Sequence, residues 1–403
     1  MCSSMTRRFP LPTLFLLLAV CLGCTAEAPP PITPKTEAAT AQPSPDPSSS
    51  LRLAVVGDIM MHDTQIRSGK TASGTYNYDA FFQEIQPWLA QADLAVGNLE
   101  TTLPGNGKPW SGYPMFRSPD ALGDSLKKAG FDLLSTANNH TMDAGESGVV
   151  RTHRKLTELG IQPIGTSPGP EPQKPLLIEK NGITLSFSAY TYGTNGIPLP
   201  AGKDYLVNLI DENRILKEIR ESRERGADIV VVMLHFGQEY QRQPNGEQKR
   251  LVKKLLTGGA DVVLGGHPHV LQPMERRKAE GKEKFVIYSL GNFVSDQLKT
   301  YTNDGIILYL DLHRTSPDHP VQLQQVSYLP TYVHKYRQGG VRKFTVIPIE
   351  GKGKWTGPTY PGLSEQTLKR TWRDTTTLME SLDSFPVFSP PAEKTTSQIP
   401  PSS

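Results

Sequence analysis

Five times along this chain a short apolar run, of the kind a buried strand makes, ends in polar side chains of metal-ligating type, with glycine among them in four of the five. Residues 53–56 lead into Gly57-Asp58-Ile59-Met60-Met61-His62, and residues 94–96 into Gly97-Asn98-Leu99-Glu100. Residues 133–135 lead into Ala137-Asn138-Asn139-His140-Thr141-Met142-Asp143, and residues 229–234 into His235-Phe236-Gly237-Gln238-Glu239-Tyr240. The fifth run, residues 260–264, ends in Gly265-Gly266-His267-Pro268-His269. Open α/β sheets gather their sites at the carboxyl ends of strands, so the repetition predicts one sheet edge carrying all five clusters.

The fifth segment has the plainest local geometry. Side chains at i and i+2 leave the same side of an extended backbone, and Pro268 biases His267 towards that geometry. The pair is therefore expected to project two imidazoles side by side, which suits a transition metal. Each cluster taken singly has a plainer reading. His267 and His269 could be loop histidines, Asp58 a turn residue, Glu100 a loop charge, Asn139-His140 a capping turn, and His62 a core or surface histidine. Jointly they argue otherwise, since five of the nine histidines fall in these segments. All three cysteines (Cys2, Cys21, Cys24) lie near the N-terminus, so thiolate ligands are excluded from the body of the chain. One or two divalent ions of Mn, Fe or Zn fit the remaining oxygen and nitrogen donors. Two such ions can clamp a phosphoryl group during in-line displacement.

Around these segments strands and helices alternate, which predicts an α/β or α+β layered sheet domain. Helical spacing is expected over residues 78–89, 119–129, 147–159, 212–225, 248–256 and 365–378. Further strands are expected over 176–179, 183–189, 285–289, 305–312, 321–328 and 343–347. Asn181-Gly182 between two of them is a hairpin signal. At 403 residues and a formal net charge of +3, the chain has ample core and no strong basic bias, which argues against a nucleic-acid partner.

The N-terminus reads as a targeting segment, with Arg7-Arg8 before a short apolar stretch that ends in Leu22-Gly23-Cys24. It resembles a bacterial lipoprotein signal, which implies lipidation of Cys24 and a membrane-anchored, extracytoplasmic protein. Cys21 departs from the usual Leu of such signals; secretion or an uncleaved anchor are the alternatives. The expected organisation is a signal over 1–24, a Pro/Ser/Thr-rich tether over 25–50, a main domain over 51–350, a C-terminal helical extension over 351–388 and a disordered tail over 389–403.

The segments Gly57-Asp58-Ile59-Met60, Asn98-Leu99-Glu100, Asn138 to Gly145, His235 to Tyr240, Gly265 to His269 and Ser289-Leu290-Gly291-Asn292-Phe293-Val294 resemble, in order, the CapA-type poly-γ-glutamate capsule biosynthesis proteins of the calcineurin-like metallophosphatases. The resemblance implies a four-layer α/β/β/α sandwich with the site at the loop edge of its two sheets. It implies that Asp58 and His269 bind a first metal, that Glu100 stands where the superfamily has a bridging Asp, and that Asn139, His235 and His267 bind a second. His140 would face the scissile group as acid or oxyanion stabiliser, with Asn139 and His140 diverging from an extended loop. Arg117, Asn98, Tyr240, Gln272 and Asn292 are candidates for substrate contact or support.

Two departures stand out. Met60 occupies the place of a superfamily histidine, for which His62 could substitute, and Glu100 is one methylene longer than Asp. The resemblance implies a metallohydrolase-like protein acting on an anionic capsule polymer or a phosphoester, in company with a capsule synthase complex. Alternatives are a non-catalytic metal-containing polymer-binding or assembly component, and a periplasmic phosphodiesterase unrelated to capsule.

Overall fold

The computed structural model describes residues 48–107, 109–279 and 281–389. The expected signal segment, Cys24, almost all of the tether and all but the first residue of the tail lie outside these residues.

The chain builds its two sheets in three passes. Strands β1 (Ser49–Ile59), β2 (Leu94–Leu99), β3 (Leu133–Ser135) and β4 (Gln162–Ile164) begin the first sheet. Strands β5 (Leu176–Lys180), β6 (Ile183–Thr191), β7 (Ile229–His235), β8 (Val262–Gly266), β9 (Leu271–Ala279) and β10 (Lys282–Leu290) form the whole of the second. Strands β11 (Asn292–Val294), β12 (Asp304–Arg314), β13 (Gln322–Gln338) and β14 (Val341–Pro348) then return to the first. The first sheet runs β14-β13-β12-β1-β2-β3-β4, with β11 also paired to β1, and the second runs β5-β6-β7-β8-β10-β9. Strands β1 to β4 are mutually parallel, as are β6, β7, β8 and β10, so the carboxyl ends within each set share one edge.

Side-chain alternation along each strand divides the core into layers. Leu51, Leu53 and Val55 of β1 meet Leu185 and Phe187 of β6 between the sheets. Ala54 and Val56, from the opposite face of β1, pack beneath α1 (Asp63–Ser68), α2 (Asp79–Phe82), α3 (Gln86–Leu89), α4 (Ala121–Ala129) and α5 (Gly145–Glu158). On the far side, Val230, Val232 and Leu234 of β7 pack under α6 (Glu212–Glu224) and α7 (Gly246–Thr257). Strands covered on both faces read as unbroken apolar runs, which is why the five signals were so plain. The expected four-layer sandwich is what forms.

Several local expectations change. The helix expected over 78–89 divides into α2 and α3, because Pro87 has no N–H and its ring obstructs the preceding turn. Asn181 and Gly182 take positive φ values of 52° and 72°, closing the β5–β6 hairpin as their types favour. Strand β13 is longer than expected, ending where Gly339-Gly340 turns it into β14. Helix α8 (Glu365–Met379) is no appendage, since its Leu378 and Met379 enter the core between the sheets.

Candidate metal centre

All five clusters meet at the shared edge. Asp58 closes β1, Glu100 follows β2, Asn139 and His140 follow β3, His235 ends β7, and His267 and His269 follow β8. Asp58, Glu100 and His235 place ligand atoms within 4.8 Å of one another, and so do Glu100, His267 and His269. Glu100 belongs to both groups, as a bridging position requires. His235 falls in the group with Asp58 and His267 in the group with His269, while His269 also lies against Asp58.

The histidine pair reaches this place by an unexpected route. His267 and His269 have φ values of 97° and 59°, in the left-handed region and not extended. Strand β9 runs antiparallel to β10, which is parallel to β8, so the chain must reverse within the four residues after Gly266. Left-handed non-glycine residues are uncommon and concentrate at functional sites. Gly266 is as telling: a Cβ there would stand 2.8 Å from the Asp58 carboxylate and 3.5 Å from His235 Nδ1, inside the cluster. Asn139 and His140 also depart from expectation, because they sit in a tight turn in which Thr141 N–H donates to Asn138 O. The turn still sends them apart.

The hydrogen bonds divide ligands from supports. Asn98 Nδ2 donates to Asp58 Oδ1 at 2.8 Å, and the His267 backbone N–H donates to Asp58 Oδ2 at 3.2 Å. His269 Nδ1 lies 3.2 Å from both Asp58 Oδ2 and Asn292 Oδ1. Asn139 Oδ1 lies 2.8 Å from His235 Nε2. Glu100 Oε1 is 3.4 Å from His235 Nε2 and 3.7 Å from His269 Nε2, yet neither carboxylate oxygen has a hydrogen-bond donor among the described residues. His267 Nδ1 is likewise buried without a partner among them. Buried polar atoms are nearly always satisfied, so a carboxylate and an imidazole left bare at one point fit a cation.

Electrostatics agree. Burial and the nearby Asp58 charge push the Glu100 carboxyl up to about 8. Burial opposes ionisation of Asp58, but its hydrogen bond with His269 and the His235 imidazole outweigh it and hold the carboxyl at about 2. Burial would lower His269, yet the Glu100 and Asp58 carboxylates raise it to about 9. Burial, followed by repulsion from neighbouring imidazoles, lowers His267 to about 2. Burial likewise lowers His235 to about 3, keeping it neutral as a ligand must be.

The other candidates occupy graded positions. His140 Nδ1 lies 2.7 Å from Asp143 Oδ2, and the Phe116 backbone N–H donates to the same oxygen at 2.5 Å. Tyr240 lies beside His269, its N–H donating to Pro268 O at 2.8 Å. Arg117 follows Phe116, whose ring meets His140 edge-on; its Nε donates to Ser111 Oγ and no carboxylate pairs with it among the described residues. Gln272 instead ties the Tyr240 loop to α7, accepting from Gln248 Nε2 and donating to Gln241 O. His62 stands outside both ligand groups, its Nδ1 accepting the Asp296 N–H at 3.2 Å. Met60 is buried and its backbone N–H donates to Val294 O.

Sequence reasoning gave Asp143 no role and passed over Asn195. Asp143 could have been found from its i,i+3 spacing to His140. Asn195 could have been found from Tyr192-Gly193-Thr194-Asn195-Gly196, a sixth polar cluster after a sixth apolar run.

Two helix-covered sheets with an acid–imidazole cluster at their common edge define a metallophosphatase-like protein. More narrowly, the chain belongs to the bacterial capsule synthesis protein family PGA_cap, whose family model matches residues 52–297. It is 29% identical over 306 residues to the PGA biosynthesis protein CapA of Bacillus subtilis, covering 72% of this chain and 76% of that protein. It is 29% identical over 273 residues to the capsule biosynthesis protein CapA of Bacillus anthracis, covering 66% of this chain and 64% of the relative, just under two thirds of its length. Among solved structures, the NAD nucleotidase of Haemophilus influenzae aligns with a TM-score of 0.43 at 13% identity, over 83% of this chain and 64% of that one. A putative 5'-nucleotidase from Staphylococcus aureus aligns with a TM-score of 0.44 at 16% identity, over 81% of this chain and 58% of that one.

Proposed function

We propose that this protein is an exported, membrane-tethered metal-dependent hydrolase that acts in the synthesis, export or processing of poly-γ-glutamate. Its family and its CapA relatives support the polymer. One observation carries the chemistry: a fully buried Glu100 carboxylate, bare of hydrogen-bond donors among the described residues, lies between His235 and His269.

Asp58, Glu100, Asn139, His235, His267 and His269 would hold one or two divalent ions. Such ions supply Lewis-acid polarisation of a phosphoryl or acyl oxygen and activation of water. Asp143 fixes the His140 ring by engaging Nδ1, leaving Nε2 with no protein partner among the described residues and free to move a proton at the leaving atom. Arg117, with no carboxylate partner among the described residues, is suited to a substrate carboxylate or phosphate. The buried Met60 and the engagement of His62 by Asp296 favour a second reading, a metal-containing assembly component without turnover.

His140→Ala separates the two. Purified protein would be assayed for metal content and for hydrolysis of poly-γ-glutamate and a chromogenic phosphodiester. Turnover should fall by about 10²–10⁴-fold with metal content unchanged. No turnover by the metal-loaded parent protein would rule out the hydrolase, and turnover unchanged in His140→Ala would remove His140 from the chemistry.

A further inference from the structure

Asn139 is an amide, and only its oxygen can serve a cation. Which end of it faces the cluster therefore decides whether it is a ligand at all. Its Oδ1 points at His235 Nε2, 2.8 Å away, while its Nδ2 donates to Asn195 Oδ1 at 3.1 Å. The same Asn195 oxygen accepts from the Tyr192 hydroxyl at 3.4 Å, and Asn195 Nδ2 stands 3.5 Å from His140 Nδ1. Reversing the Asn139 amide would set its oxygen against the Asn195 oxygen, with no proton between them.

Asn195 comes from the other sheet, in the loop after β6, and its conformation does not depend on the cluster. Its φ of 50° is one that asparagine tolerates better than most residues, and Gly196 follows at 75°. Thr194 closes the turn, its hydroxyl donating to Ile197 O at 2.6 Å and its carbonyl accepting the Ile197 N–H at 2.9 Å. Asn195 is exposed whereas Asn139 is buried, so water would replace a lost side chain. Water both donates and accepts, and would leave the amide free to turn either way.

We infer that Asn195 is a positioning residue: from the second sheet it fixes the buried Asn139 amide with its oxygen towards the metal ions. The inference rests on the metal-site reading above and adds a residue that touches no ion itself. Partners of this kind are worth about 10–100-fold in metal affinity.

The test is calorimetric titration of the full chain, stripped by chelator, with Mn²⁺ alone. Asn195→Gly keeps the backbone conformation and removes the acceptor, and should weaken binding about 10–100-fold. Asn195→Asp restores an acceptor and should bind no more than about threefold more weakly than the parent protein. On an Asn139→Ala background, Asn195→Gly should add nothing. Unchanged affinity in Asn195→Gly, equal loss in Asn195→Asp, or a full further loss on the Asn139→Ala background would overturn the inference. A parent protein that takes up no Mn²⁺, Zn²⁺ or Fe²⁺ would instead overturn the metal site itself.

Discussion

Glu100 and His269 are both held above their ordinary values, so near neutral pH the folded pair retains protons that the unfolded chain has largely released. Folded Glu100 titrates near 8 and folded His269 near 9, each above its ordinary value of 4.5 or 6.5. A group whose folded value is raised contributes stability that is lost as pH climbs through that value. His235 and His267 are lowered, so above 6.5 they are neutral in both states and add nothing to the slope. Chelator-treated protein should thus lose thermal stability between pH 6.5 and 8, and saturating Mn²⁺, which displaces both protons, should remove the loss. Glu100→Gln should flatten part of the slope in the metal-free protein. A melting temperature independent of pH across that window, with metal absent, would refute the assignment. The ligand types at this scale were legible, because Asp58, Glu100 and the histidines announce their chemistry by type. Among the neutral helpers, Asn98 and Asn292 were legible beside the strand-end motifs, but Asn195 was not. It acts through one or two directed hydrogen bonds, and asparagine in a turn has many commoner reasons to be there.

Among the elements, α7 shows how local rules hold a loop near the centre. Asn245 accepts from Gln248 N–H at 2.9 Å while the Gln248 side chain accepts from Asn245 N–H at 3.0 Å, a capping box. Gln248 also donates to Gln272, which in turn holds the backbone of the Tyr240 loop. Asn245→Ala should cost about 1 kcal/mol in urea unfolding and leave Mn²⁺ affinity unchanged. A metal defect in that variant would mean that the cap reaches further into the centre than its bonds suggest. Most long elements could be read from periodicity, whereas the single turn of α1 and the short strands β4 and β11 could not, having too few residues to show a period. The extended geometry expected at His267 failed for a non-local reason. The need for β9 to reverse against β10 overrode the bias that Pro268 imposes.

For the molecule as a whole, the seam between the two sheets is closed by α8. Met379 is fully buried there, with Leu378 and Phe385 beside it, among Phe285 of β10 and Tyr328 of β13. Met379→Ala should therefore cost about 2–5 kcal/mol, as deleting buried methylenes and leaving a cavity does. A cost near zero by urea unfolding would return 351–388 to the status of an extension.

The sequence alone determined the layered α/β class, the strand ends that carry the chemistry, and the ligand types gathered there. Burial on both faces writes a strand into consecutive apolar letters, and metal ligation restricts side chains to a few kinds. Only the tertiary structure decided which ligands stand together, how the Asn139 amide is turned, and that α8 belongs to the core. Those depend on residues far apart in the chain, and a linear sequence does not record the direction of a hydrogen bond between them.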